Sequence, residues 1–171
     1  MPRLRGPKVI EPDINAPFLL NHHLFGNHQS GGKTAKTLAE RLPLDWASIF
    51  GRSAPMALEI GFNRGLFLES LAKREPGKNL LGIEIQRRFC WRLANLLAED
   101  AEAPPNLRLI WADAKLVTET LLPSASVKDI YINFPDPWWK KRHHKRRLVS
   151  TAYAAELVSI LAAGGEIWVK S

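Results

Sequence analysis

Met56-Ala-Leu-Glu-Ile-Gly-Phe-Asn-Arg-Gly65 is the stretch on which the fold turns. An apolar run from Met56 to Ile60 stops at Gly61, and Gly65 follows. Leu66, Phe67, Leu68, Leu71 and Ala72 then recur at helical spacing. A short apolar run, a glycine turn and a helical stripe read as a buried strand, a tight bend and a helix. The acid at Glu59, two residues before the first glycine, is the one charged group in the run.

The same unit recurs downstream. Asn79 to Ile83 reads as a second strand, with Phe89, Leu93, Leu96 and Leu97 marking the next helix. Ala103-Pro104-Pro105 breaks the chain. Leu107 to Trp111 is a third strand and Lys128 to Phe134 a fourth. Val149, Tyr153, Leu157, Ile160 and Leu161 form a helical stripe that ends at Gly164-Gly165. Glu166 to Lys170 is the fifth strand. Strands alternating with helices predict an α/β fold, a mostly parallel sheet covered on both faces. Such sheets take ligands at the carboxyl ends of their strands.

Residues 1–45 differ from the rest. Pro2, Pro7, Pro12 and Pro17, then Asn21-His22-His23 and Gly31-Gly32, describe an irregular arm. A short helix is predicted from about Lys33 to Arg41, stopped near Pro43. The division expected is an arm over 1–45 and a core over 46–171.

The chain has 171 residues, 46% hydrophobic and 24% charged, which suits one globular domain with an arm. No apolar stretch is long enough for a membrane span. Arg3, Arg5 and Lys8 are followed by no apolar run, which speaks against a signal peptide. One cysteine, Cys90, excludes an internal disulfide and a Cys-rich zinc site. A reducing, cytoplasmic setting fits. The net charge of +7 points to a polyanionic partner. Six cations, Lys140, Lys141, Arg142, Lys145, Arg146 and Arg147, fall within eight residues, and no acid lies between Asp136 and Glu156.

Three acids follow three successive strands. Glu59 precedes the glycine turn, Glu84 ends the second strand, and Asp113 follows the third before Ala114. A carboxylate at Glu84 suits both hydroxyls of a ribose. One at Asp113 suits an adenine amino group. Each alone has a plainer reading, as a solvated loop residue or helix cap. The turn is not the G-x-G-x-x-G of dinucleotide enzymes, so an NAD-dependent oxidoreductase is disfavoured. The acid before Gly61 looks instead like the first motif of Rossmann-like methyltransferases.

The fourth strand ends in Asn133-Phe-Pro-Asp-Pro-Trp138. Prolines on both sides of Asp136 restrain the backbone that carries it. Trp138 and Trp139 suit either stacking on a base or packing on the core. The basic run that follows can hold phosphates without reading sequence, with His143 and His144 as further donors. No acid or cysteine stands near those histidines at ligand spacing, which speaks against a metal.

Phe134-Pro-Asp-Pro-Trp138 with Lys140-Lys-Arg-His-His-Lys-Arg-Arg147 resembles the bacterial tRNA (guanine-N7)-methyltransferases. Glu59-Ile-Gly61, Gly82-Ile-Glu84 and Asp113-Ala114 resemble the same family. The match runs from about residue 56 to the end, with part of the His-rich arm. The resemblance implies a Rossmann-like fold that binds S-adenosylmethionine and methylates N7 of a guanine in the tRNA variable loop. It implies cofactor contacts from Glu59, Gly61, Gly65, Glu84, Asp113, Ala114 and Asp136. It makes Asp136 the active-site acid. Lys140, Lys141, Arg142, His143, Lys145, Arg146 and Arg147 would face the substrate.

Two departures stand out. Asn63 occupies a position that is usually glycine, although asparagine tolerates positive φ. Family members also continue past the equivalent of Ser171 with an aspartate, a T-x-x-E motif and two more strands. The expectation is a fragmentary or degenerate chain whose fifth strand is an open edge. Competing readings are a methyltransferase of rRNA, protein or a small molecule, and a non-catalytic RNA-binding protein that keeps the fold. The basic run disfavours a small-molecule substrate.

Overall fold

The computed structural model describes residues 9–13, 17–20, 44–135 and 150–171. The helix expected near 33–41, Asp136, Trp138, Trp139 and the basic run from Lys140 to Arg147 lie outside them. Five strands form one sheet: β1 (Met56–Ile60), β2 (Asn79–Glu84), β3 (Leu107–Trp111), β4 (Val127–Asn133) and β5 (Leu161–Lys170). Their order is β3-β2-β1-β4-β5, and every pairing is parallel. The chain winds outward from β1 to β3, then restarts beyond β1 at β4. That reversal between β1 and β4 is a topological switch point, and sheets of this kind hold ligands in the crevice outside the carboxyl ends of the strands there.

Helices cover both faces. On one lie α1 (Trp46–Phe50), α4 (Ala114–Thr120) and α5 (Thr151–Ile160), packed on Leu58, Ile60, Ile83, Ile110 and Ile130. On the other lie α2 (Leu66–Arg74) and α3 (Arg87–Glu99), packed on Ala57, Leu80, Leu107 and Leu109. All five residues of β1 and all six of β2 are buried, because helices cover them from both sides.

Several details differ from the sequence expectations, and β4 ends at Asn133 rather than Phe134, which bends away at positive φ. The stripe of α3 runs through Cys90, Trp91, Leu93, Ala94 and Leu97, while Leu96 is 52% exposed. Apolar identity favours Leu96 over the small Ala94, but the turn of the helix carries Ala94 to the buried face and Leu96 to the outside. The fifth strand begins at Leu161 rather than Glu166, and the last helix stops at Ile160, not at Gly164-Gly165. Those glycines lie in an irregularity where β4 and β5 change register between Val127 and Asp129. Gly164 takes φ 66 there, and Gly165 has the Lys128 carbonyl where a Cβ would stand. Helices α1 and α4 had no expectation; Asp45 and Asp113 cap them, and those caps were the available signal.

The two sheet edges are unequal. Leu19 bridges Leu109 in parallel, with Leu20 N–H donating to the Leu109 carbonyl at 2.9 Å and Leu109 N–H to Phe18 at 2.7 Å. Phe18, Leu19 and Leu20 are buried, so part of the N-terminal segment shields β3. Among the described residues nothing pairs with the outer edge of β5. Trp168 and Val169 there are more than half exposed, the open edge that the sequence foreshadows.

Gly82 shows how closely α2 approaches the sheet. A Cβ on it would lie 2.2 Å from Leu68 Cδ2 and 2.8 Å from Phe62 Cδ1. Both neighbours are buried in the same core, so the methyl must displace packed atoms. Gly82→Ala should lower stability by about 1–3 kcal/mol, measurable by urea unfolding. An unchanged midpoint would mean that Leu68 swings aside freely.

Candidate active site at the carboxyl ends of the strands

The glycine turn after β1 is held by named bonds. Gly61 takes φ 76 and donates its N–H to the Ile83 carbonyl at 2.8 Å. Asn63 takes φ 52, so asparagine adopts the left-handed conformation where glycine is usual. Gly65 takes φ 78 and donates to the Phe62 carbonyl at 2.8 Å before α2 begins. A Cβ at Gly65 would lie 2.3 Å from Leu93 Cδ2, so backbone and space both require glycine. Gly61 faces open space within 4 Å, which leaves its backbone accessible to a ligand.

Glu84 ties this turn to the next one. Its Oε2 accepts from Asn63 N–H and its Oε1 from Gln86 N–H, both at 2.8 Å. The side chain is 5% exposed and both oxygens have partners. Each carboxylate oxygen has a second lone pair, so the group can still accept from a ligand. Ile85, the next residue, is 64% exposed and gives an apolar surface beside the acid. Its carbonyl accepts from Trp111 Nε1 at 3.1 Å, which fastens the end of β3 to the end of β2. Sequence reading missed Ile85; its only signal was an exposed apolar residue directly after the strand-end acid.

Asp113 has its plainer role as well. Its Oδ1 accepts from Lys115 N–H at 2.9 Å and caps α4, and Ala114 is buried as the first helical residue. The other oxygen has no part in the cap. Asp113→Ala should cost about 1 kcal/mol of stability, while Asp113→Ser, itself a good cap, should stay within about 0.5 kcal/mol. Equal losses in thermal melts would rule out capping as the structural contribution.

Glu59 is the exceptional group. Among the described residues six polar or charged side chains are buried: Glu59, Asn79, Glu84, Asn106, Thr118 and Asp129. At the amino end of the sheet these are satisfied. Asn79 accepts from Arg52 Nε at 2.8 Å, Asp129 pairs with Lys78 at 2.8 Å, and Asn106 donates to the Ala72, Glu75 and Lys78 carbonyls. Of the six, Glu59 alone keeps a fully buried oxygen, Oε2, with no partner among the described residues. Its Oε1 accepts from Asn133 Nδ2 at 3.0 Å. Burial pushes the carboxyl up to about 7, the Asn133 bond opposes that shift, and the nearby Glu84 charge adds to it. A buried acceptor without a donor costs free energy, and a cationic ligand group would relieve it. The sequence signal for Asn133 is a polar residue closing an apolar strand, which by itself assigns it no role.

Beyond Asn133 the chain turns sharply. Phe134 takes φ 49, and its N–H donates to the Lys170 carbonyl at 2.7 Å. Positive φ is strained for a bulky residue, and the bond from β5 holds it. Glu59, the Gly61–Gly65 turn, Glu84 and Asp113 thus come together along one rim. Asp136 and the basic run lie outside the described residues. Among the described residues no cluster of three His, Cys, Asp or Glu side chains could hold a metal ion, and no helix is long and apolar enough to cross a membrane.

Comparison with known proteins places the chain. Residues 53–171 match a family model described as "Putative methyltransferase". A tRNA (guanine-N(7)-)-methyltransferase of Bordetella parapertussis is 44% identical over 134 residues, 78% of this chain and 52% of that protein. Its counterpart in Klebsiella pneumoniae is 43% identical over 72% of this chain and 51% of that protein. The chain spans about half the length of the curated relatives it matches. A solved 16S rRNA (adenine(1408)-N(1))-methyltransferase from Catenulisporales acidiphilia superposes with a TM-score of 0.55 at 17% identity, over 74% of this chain and 56% of that one. The aminoglycoside resistance methyltransferase NpmB1 gives 0.54 at 20%, over 80% and 61%. Those two likenesses concern the fold, which is that of Rossmann-like methyltransferases. With the model match covering the whole sheet and the glycine turn, this chain belongs to that methyltransferase family.

Proposed function

We propose that the chain is the cofactor-binding part of a tRNA (guanine-N7)-methyltransferase, which transfers a methyl group from S-adenosylmethionine to N7 of a variable-loop guanine. The observation that carries this reading is the unpartnered Glu59 Oε2 beside an accessible glycine turn. The cofactor's amino-acid ammonium is a fitting donor for that oxygen. Glu84 would accept from the ribose hydroxyls and Asp113 from the adenine amino group, with Ile85 against the base. Gly61, Gly65 and Ala114 would bring backbone close to the ligand. The division is an arm over 1–45 and a core over 46–171, in a cytoplasmic protein that uses no metal.

Bound S-adenosylmethionine supplies an electrophilic methyl carbon. Guanine N7 carries a lone pair and no proton, so no residue needs to act as a base. The protein's work is alignment, the proximity contribution to catalysis. Asp136 would hold the guanine by accepting from its N1–H or amino group. Lys140, Lys141, Arg142, His143, Lys145, Arg146 and Arg147 would bind the RNA backbone.

The test is transfer of a labelled methyl group to unmodified tRNA, with the modified nucleoside identified. Formation of 7-methylguanosine is expected. Asp136→Asn should lose at least about tenfold in turnover, one hydrogen bond's worth of positioning, with RNA affinity unchanged. Full turnover in that variant would refute the positioning role. Cofactor binding without methyl transfer would instead identify a binding protein with a methyltransferase fold.

A further inference from the structure

Asn133 is the last residue of β4 and only partly exposed. Its Nδ2 donates to Glu59 Oε1 at 3.0 Å, across the crevice where β1 and β4 part. With one oxygen held, the direction of the other is set, and that other oxygen is the sealed, unpartnered Oε2. The backbone directly after Asn133 is restrained too, because Phe134 N–H is bonded to Lys170 in β5. Pro135 and Asp136 come next. One residue therefore joins the cofactor acid to the segment that carries the proposed substrate acid.

We propose that Asn133 is a positioning residue: by holding Glu59 Oε1 it aims Oε2 at the cofactor's ammonium group and favours the charged form of that carboxylate. The inference rests on the cofactor reading given above. Its physical basis is the opposition of two effects at Glu59. Burial and the Glu84 charge favour the protonated form, and the Asn133 hydrogen bond favours the ionised one. Among the described residues two polar groups act on Glu59. From β2 it meets the charge of Glu84, and from β4 the amide of Asn133. Tyr131, opposite Glu59 in register, packs its ring on Phe67 of α2, and burial pushes its hydroxyl further above the neutral range. Without Asn133 the carboxylate holds its proton to higher pH, and an acid that holds its proton cannot pair with an ammonium.

The experiment measures binding of S-adenosylmethionine and of 5′-methylthioadenosine, which lacks the amino-acid moiety, to the full 171-residue chain between pH 6.5 and 9. Asn133→Ala should weaken S-adenosylmethionine about fivefold near pH 7, as expected for a carboxyl at about 7 whose pKa is raised by a further unit. The gap from wild type should close towards pH 9. Taking the ratio of wild-type to variant affinity for S-adenosylmethionine at each pH cancels the ligand's own titration. Methylthioadenosine should bind both proteins alike. Asn133→Asp keeps the shape but removes the donor and adds a like charge, so it should move the profile further; it also carries the test if the alanine variant does not fold. A loss equal at every pH, or equal for both ligands, would assign Asn133 a merely structural role and overturn the inference. So would no loss at all. A wild-type chain that binds neither ligand would overturn the cofactor reading itself, and this inference with it.

Discussion

Glu59→Gln should give a more stable protein that has lost its cofactor. The sign follows from the carboxyl being pushed up to about 7 from an ordinary 4.5. A folded chain that holds a proton more tightly than the unfolded one loses stability as pH rises. The loss begins near the unfolded value and is complete once the pH passes the folded value. Below about pH 4.5 both states carry the proton, and Glu59 has no differential effect. Above about 7 the cofactor-free protein bears the full cost, about 3 kcal/mol at ~1.4 kcal/mol for each pKa unit. Glutamine keeps an oxygen for the Asn133 amide and removes the charge. Urea unfolding without cofactor should therefore show Glu59→Gln more stable than wild type at pH 8 by about 1–3 kcal/mol. Near pH 5 the two should converge. Affinity for S-adenosylmethionine at pH 8 should fall by about 2 kcal/mol or more, roughly 30-fold, because the ammonium loses a buried ionic partner. Equal stability of the two proteins at pH 8 would show that the ionised carboxylate is not a burden there. Functional sites often hold such a burden, since the ligand relieves it.

Glu84→Ala should have the opposite effect on stability and a broader effect on binding. The carboxylate accepts from Asn63 N–H in one turn and Gln86 N–H in the other, at 2.8 Å each. Hydrogen bonds to a charged group contribute about 1.5–3 kcal/mol apiece, and partial rehydration of exposed turns should leave a net loss of about 2–4 kcal/mol. Glutamine is a poor substitute. Its amide nitrogen would face a backbone N–H, two donors without an acceptor. The ligands separate the two acids. Methylthioadenosine retains the ribose, so Glu84→Ala should weaken it along with S-adenosylmethionine. Glu59→Gln should leave it nearly unchanged. If Glu84→Ala kept full affinity for methylthioadenosine, the ribose role would be wrong and Glu84 would be only a clamp between turns.

Much of the sheet was legible because buried strands are short apolar runs ended by glycine, proline or an acid. β1 and β3 match the predicted spans, and β2 extends one residue further, to Glu84. Helix α3 was placed correctly, but its buried face was drawn through Leu96. Hydrophobicity marks which residues can be buried, whereas the side of the helix that faces the sheet decides which are. The start of β5 was hidden for another reason. Two glycines after a helical stripe look like a helix stop, yet here they let β5 pass the Lys128 carbonyl. Only the partner strand makes that meaning visible. Phe18 to Leu20 are a similar case. In a proline-rich arm nothing local says that three residues cover the edge of a sheet.

The sequence by itself determined the order of strands and helices, and the acids at three strand ends. Those depend on nearest neighbours along the chain: periodicity, turns and caps. It also carried the Phe134-to-Arg147 signature, which identifies the family while its far part lies outside the described residues. Tertiary structure alone decided how the Met56-to-Gly65 stretch becomes a site. Glu59 and Asn133 are 74 residues apart in sequence and 3.0 Å apart in space. Glu84 reaches back 21 residues to hold the turn at Asn63. A parallel sheet brings the ends of distant strands together, and burial there raises the cost of each unpartnered atom. Glu59 is conspicuous for that reason: its remaining oxygen acquires meaning only once the core has closed around it.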